Sequence, residues 1–253
     1  MYSLAGLLVG MLVGMTGVGG GSLMTPILVL LFGFHPATAV GTDLLYASVT
    51  KSVGTVVHGT RNTVDWRIVC GLAMGSVPAA IATLFAMSRL GATGTHTEIL
   101  NLLLGSALLL TAVATFFRPL ILRWTGAHFH PDGRTEISRW TVLIGVMLGI
   151  LVSLTSVGAG ALGTTALLIL YPRLPISRVA GSDIAHAVPL TLIAGIGHWL
   201  MGSVDFGLMG ALLIGSIPGI IIGSLFASRA SDRVLRPLVA VTLLLVSVKL
   251  LTS

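Results

Sequence analysis

The sequence predicts an all-α, polytopic membrane protein with two inverted repeats, each a re-entrant broken-helix hairpin followed by three transmembrane helices. Three observations predict it. Apolar residues make up 55% of the 253-residue chain and charged residues only 9%, against about 25% charged in a soluble domain. Eight apolar regions follow one another, and two of them are interrupted by small-residue breaks. The two halves also match each other at a nearly constant offset.

A spanning helix needs about 20 apolar residues. The stretches 37–58, 66–88, 97–117, 177–200, 206–228 and 233–252 meet that need. Region 4–33 is broken at Thr16-Gly17-Val18-Gly19-Gly20-Gly21, and region 140–171 at Ser153 to Gly163. The polar stretch 118–139 reads as a linker between repeat 1 (1–117) and repeat 2 (140–253) within one membrane domain.

The correspondence rests on rare residue types. Gly41, Asp43, His58, Asp65, Pro78 and Arg89 recur 140 residues later as Gly181, Asp183, His198, Asp205, Pro218 and Arg229. The breaks match at an offset of 139, Val18-Gly19 with Val157-Gly158 and Gly21 with Gly160. Internal repeats of this kind are a signature of secondary transporters.

Each broken region would be about 45 Å long as helix, too long for one straight crossing and too short for two. Charge decides between a broken span and a hairpin. If each region turns back, eleven basic residues lie on one side and only Arg89 and Lys249 on the other. If each spans, the split is six against seven. Cytoplasmic loops carry an excess of Lys and Arg, so the hairpin is expected, with the linker cytoplasmic and the termini periplasmic or extracellular. Three crossings then put the second repeat in the membrane upside down relative to the first.

The same composition excludes other classes. The net charge of +6 is spread between apolar segments rather than gathered into a patch, so no nucleic-acid partner is expected. Cys70 is the single cysteine, which leaves no internal disulfide and no thiolate metal cluster. No metal or other cofactor is implied. No serine stands in an activated-nucleophile motif, so the chain does not read as an enzyme. No signal peptide opens the sequence, and residue 1 onward reads as structural. A homodimer is allowed by the pattern and not required by it.

The candidate substrate site follows from the breaks. Irregular backbone at membrane depth must face a cavity or packed protein. Beyond each break a half-helix starts, at about Ser22 and about Leu162, with free N–H groups and a positive dipole end. Such an end suits a small anion. Glycines 17, 19, 20, 21, 158 and 160 would let the ligand approach the backbone. Thr16, Ser22 and Thr25 on one side, and Ser153, Thr155, Ser156 and Thr164 on the other, offer hydroxyl donors. Tight helix packing is the alternative use of such glycines.

Asp43 and Asp183 lie about two turns into their helices, where a carboxylate is costly and functional by default. Two roles stay open: proton coupling, or capping of a neighbouring half-helix. Lys249 lies close to the end of its own stretch, and Lys51 is the one lysine near the middle of a spanning stretch. It would pair with a carboxylate or the substrate, or snorkel to the interface. His58 and His198 close their helices and read as capping groups or as gates. His186, where repeat 1 has Tyr46, is a candidate substrate or proton contact. Asp65 and Asp205 suit N-capping.

The stretches GMTGVGGGSLMTPIL and HPATAVGTDLLYASVTKSVGTVVHG, with RVAGSDIAHAVPLTLIAGIGHWLMGSVD downstream, resemble the TauE/SafE family of sulfite exporters and related permeases. The resemblance covers nearly the whole chain. It implies transport of sulfite, thiosulfate, sulfoacetate or a similar anion across a bacterial inner membrane. By position, the family signature falls on Gly17, Gly19, Gly20, Gly21, Pro26, Gly41 and Thr42. The second break departs from a full glycine run at Ala159 and Ala161. The expected function is a secondary transporter of a small sulfur anion, working by alternating access with proton coupling. An anion channel is the rival, and an intramembrane serine protease a remote one.

Overall fold

The computed structural model describes residues 2–16, 21–60, 62–90, 97–120, 134–158, 160–226 and most of 240–252. Among them there are nine bounded α-helices and no strand. They are α1 (Tyr2–Thr16), α2 (Gly21–Leu30), α3 (Pro36–Thr60), α4 (Trp66–Leu90) and α5 (Thr97–Phe116) in the first half. The second half holds α6 (Arg134–Thr155), α7 (Ala161–Leu170), α8 (Ile176–Leu200) and α9 (Phe206–Phe226). The described residues from 240 onward are also helical.

Five of the predicted spanning stretches thus appear as helices of 20 to 25 residues. Trp66–Arg89 and Ile176–Leu200 are long and apolar enough to cross a membrane by length and composition, with mean hydropathies of 2.0 and 1.5. Helix α6 begins at Arg134, inside the stretch read as linker. Helical main chain thus runs through residues whose polarity reads as a loop.

The burial pattern is inside out. Leu200 is 80% exposed, Leu31 75% and Ile214 72%, while Asp43, Asp183, Lys51 and His186 are buried. A surface rich in isoleucine and leucine, over a core that buries carboxylates, a lysine and hydroxyls among its apolar side chains, is unstable in water and stable in lipid.

Each short helix returns the chain to its starting end. The Tyr2 ring at the start of α1 packs on Phe32 and Phe34, just past α2, with centroids 4.9 and 5.8 Å apart. In the second half Thr141, near the start of α6, hydrogen-bonds Tyr171, just past α7, over 2.6 Å. At the offset of 139, Tyr2 corresponds to Thr141 and Phe32 to Tyr171. Chemistry differs between the two closures; position does not.

The halves interlock reciprocally. Helix α1 packs along α9, and its counterpart α6 packs along α4. Helices α3 and α8 pack on each other at the centre. The close approaches recur one for one. A Cβ at Gly6 would overlap the Leu212 carbonyl, and one at Gly145 the Leu72 carbonyl. Gly10 meets Ser216 as Gly149 meets Ser76. Small residues allow the main chains to approach this closely, so van der Waals packing holds the pairs together without a hydrophobic driving force.

Polar contacts cross between halves in the same reciprocal way. The Asp205 N–H donates to Thr42 Oγ1 over 3.0 Å, and the Asp65 N–H donates to Ser182 Oγ over 2.8 Å. Each aspartate also caps its own helix. Asp65 Oδ1 accepts from the Arg67 N–H and Asp205 Oδ1 from the Leu208 N–H, at 3.0 and 2.9 Å. Thr42 and Ser182, each next to an aspartate in sequence, therefore join the two halves.

Candidate anion site at the helix breaks

Helix α6 stops at Thr155. Ser156 adopts φ 58°, and Gly158 and Gly160 adopt φ 123° and 117° before α7 begins at Ala161. Glycine reaches these angles without steric cost, whereas Ser156 holds a conformation costing about 1 kcal/mol or more. Thr155 stabilises the turn locally: its Oγ1 donates to the Leu151 carbonyl over 2.7 Å and accepts from the Val157 N–H over 3.2 Å. That use commits its hydroxyl to the turn itself. Gly158 faces Val152, Leu162 and Leu148 across ordinary contact distances, so it belongs to the packing of its own hairpin.

The counterpart break falls mostly outside the described residues. Gly17, Gly19 and Gly20 lie there, as do the side chains of Thr16 and Ser22. Gly21 opens α2.

Two buried threonine–aspartate pairs follow the breaks. Thr164 Oγ1 on α7 donates to Asp183 Oδ2 on α8 over 2.9 Å. Thr25 Oγ1 on α2 donates to Asp43 Oδ2 on α3 over 2.5 Å. Thr25 and Thr164 correspond at the offset of the breaks, and Asp43 and Asp183 at that of the long helices. The main-chain N–H of Gly160 is directed at Asp183, and that of Thr25 at Asp43. Gly163 has no side chain because Asp183 Oδ1 occupies the place of its Cβ. Each carboxylate therefore lies on the first turns of a 10-residue half-helix, where its charge complements the dipole.

The second oxygens of both carboxylates, Asp43 Oδ1 and Asp183 Oδ1, have no hydrogen-bond partner among the described residues. Neither has Ser156 Oγ, which approaches the Asp43 carboxyl without completing a hydrogen bond. The second break thus reaches the first half's aspartate. Val157 confirms the convergence by packing into one cluster with Leu23, Met24 and Leu28 of α2 and Tyr46 of α3. Lys51 is buried on α3 within electrostatic reach of both carboxylates, acting on Asp183 more strongly than on Asp43. It does not snorkel to the surface.

Of the residues singled out in the sequence, Thr25, Lys51, Ser156, Gly160, Thr164, Asp43 and Asp183 come together here. The histidines make their hydrogen bonds elsewhere. His58 Nδ1 lies 2.8 Å from Thr63 Oγ1, at the end of α3. His198 Nε2 donates to the Ser153 carbonyl over 2.9 Å and so ties α8 to the last turn before the break. His186 Nε2 lies 2.8 Å from Ser76 Oγ, and its counterpart Tyr46 approaches Ser216. Ser76 and Ser216 were not found by sequence reasoning, since serines inside apolar helices carry no spacing signal. An apolar cleft of about 180 Å³, lined by Trp140, Ile144, Ala166, Ile169 and Leu170, lies away from this cluster on the lipid-like surface.

The sulfite exporter TauE/SafE family matches residues 2–250. The chain belongs to the TauE/SafE family. It is 39% identical over 260 residues to "Probable membrane transporter protein YjnA" of Bacillus subtilis (strain 168), covering 98% of both chains. It is 27% identical over 203 residues to "Probable membrane transporter protein YdhB" of the same organism, covering 79% of each. No solved structure is significantly similar. Membership identifies a membrane transporter of the TauE/SafE type, in agreement with the inside-out burial.

Proposed function

We propose that this TauE/SafE protein is an inverted-repeat secondary transporter of a small sulfur oxyanion or organosulfonate. Both half-helix N-termini face one occluded pocket, and alternating access comes from rocking of one interlocked half against the other. The observation that carries this reading is the pair of matched Thr–Asp contacts, Thr25 with Asp43 and Thr164 with Asp183, each on a half-helix that starts at a break. Donors of that kind bind a compact anion without a fixed arginine. Lys51 supplies a cationic side chain within the cluster.

The re-entrant assignment is supported by the contacts that close each hairpin, Tyr2 with Phe32 and Thr141 with Tyr171. Together with the arginine distribution, it supports a cytoplasmic linker and termini on the outside. Asp43 and Asp183 are the proton-coupling groups, and His186 and His198 hold neighbouring helices in register.

Flux tests the reading. Purified protein in proteoliposomes should export sulfite, thiosulfate or a sulfonate with saturation, and unlabelled anion on the far side should accelerate exit of labelled anion. Absence of flux for a panel of sulfur anions contradicts the substrate class. Flux without saturation or counterflow contradicts the carrier and favours a channel.

A further inference from the structure

A carboxylate is itself a small oxyanion, and Asp43 and Asp183 sit where a substrate anion would bind. We infer that the two aspartates are resident stand-ins for the substrate, occupying its hydrogen-bond donors between transport events and yielding them only when the substrate arrives. This inference rests on the anion-transport reading and specifies how the site is held between cycles.

Three observations converge on it. A hydroxyl donor at each half-helix is already engaged by the protein's own carboxylate, Thr164 by Asp183 and Thr25 by Asp43, and the Gly160 and Thr25 N–H groups are directed at the same two carboxylates. Each carboxylate uses one oxygen on its threonine and leaves the other, Oδ1, without a partner among the described residues, although both groups are buried. A permanent structural cap would be expected to satisfy both oxygens. Finally, Ser156 Oγ is buried beside Asp43 and also lacks a partner, a spare donor at the point where the two halves meet.

Displacement has an electrostatic consequence. Releasing a carboxylate from its donors inside a lipid-surrounded core, next to an incoming anion, sets two negative charges against each other. The displaced aspartate therefore takes up a proton. The charged and titratable groups facing the pair are Lys51 and Tyr46 for Asp43, and Lys51 and Arg118 for Asp183; His186 in turn faces Lys51. Lys51 is common to both carboxylates, so it compensates whichever of them remains charged. Coupling of proton to anion then arises from competition for shared donors and needs no separate proton site.

The competition carries a sign that a purely structural cap does not. Binding of an alkylsulfonate, whose own charge is constant over the range, is measured on purified protein as a function of pH. Competition predicts weaker binding as pH rises, approaching about tenfold per pH unit once one carboxylate is ionised. Asp183→Asn and Asp43→Asn should each bind the sulfonate at least as tightly as wild type at high pH and lose most of the pH dependence. Thr164→Val, which removes a donor and leaves the aspartate, should weaken binding and keep the pH dependence. It thus serves as an independent measurement should an asparagine variant not fold. Asparagine variants that bind more weakly than wild type, or a wild-type affinity independent of pH, overturn the stand-in role alone. Failure of every variant and of wild type to bind any sulfur anion overturns the anion reading and this inference together.

Discussion

The hydroxyl of Thr164 reaches across 19 residues to the carboxylate of Asp183, and Thr25 reaches across 18 residues to Asp43 in the same manner. The difference of one residue is the same single-residue shift that separates the offset of the breaks from that of the long helices. Two contacts related in this way belong to one design used twice. Each holds a half-helix against a long central helix, and each does so with a group that can gain or lose a proton.

Removing either hydroxyl should therefore have a comparable cost. Thr164→Val and Thr25→Val keep the shape and delete a hydrogen bond to a buried carboxylate, worth about 1.5–3 kcal/mol. Thermal unfolding in detergent should show similar falls for both, and nearly additive falls in the double variant. A silent Thr25→Val beside a damaging Thr164→Val would mean that only the second pair is energetically engaged.

Gly163 offers a sharper probe of the same contact. An alanine methyl there would collide with Asp183 Oδ1. Gly163→Ala should abolish transport while leaving the detergent-purified protein monodisperse, because the carboxylate must leave its position. Gly210, on α9, has open space where a Cβ would go. Gly210→Ala should transport normally and gain up to about 1 kcal/mol from the improved helix propensity.

Lys51 compensates two buried carboxylates. Lys51→Met should destabilise the fold by about 3–5 kcal/mol, the cost of stranding buried charge. Adding Asp183→Asn to it should restore part of that loss, since the pair is then closer to charge balance. Thermal unfolding of the two single variants and the double gives the coupling directly; strict additivity would place Lys51 out of reach of Asp183.

Most of the helical organisation was legible because apolar length and composition are strong signals. Trp66–Leu90 and Ile176–Leu200 lie within two residues of the expected 66–88 and 177–200. For Asp43 the sequence left capping and proton coupling open, and the Thr25 hydroxyl contact is compatible with both. Other assignments were not legible. Thr42 and Ser182 look like site residues beside the aspartates, yet they face the opposite half and bind main-chain N–H groups, because one step along a helix turns a side chain by about 100°. Thr155 looked like a donor and is spent on its own turn. The start of α6 at Arg134 was hidden because polar residues suggest a loop when the solvent on either side is not known.

Accessibility of the hairpin ends tests the mirrored architecture most directly. In a Cys70→Ser background, single cysteines are placed at Ser3 and His35, flanking α1 and α2, and at Arg139 and Arg173, flanking most of α6 and α7. A membrane-impermeant maleimide is applied to intact cells and to inverted vesicles. Two re-entrant hairpins of opposite orientation predict that positions 3 and 35 react only from outside and positions 139 and 173 only from the cytoplasm. Labelling of positions 3 and 35 from opposite faces would make residues 4–33 a crossing segment and contradict the proposed transporter architecture.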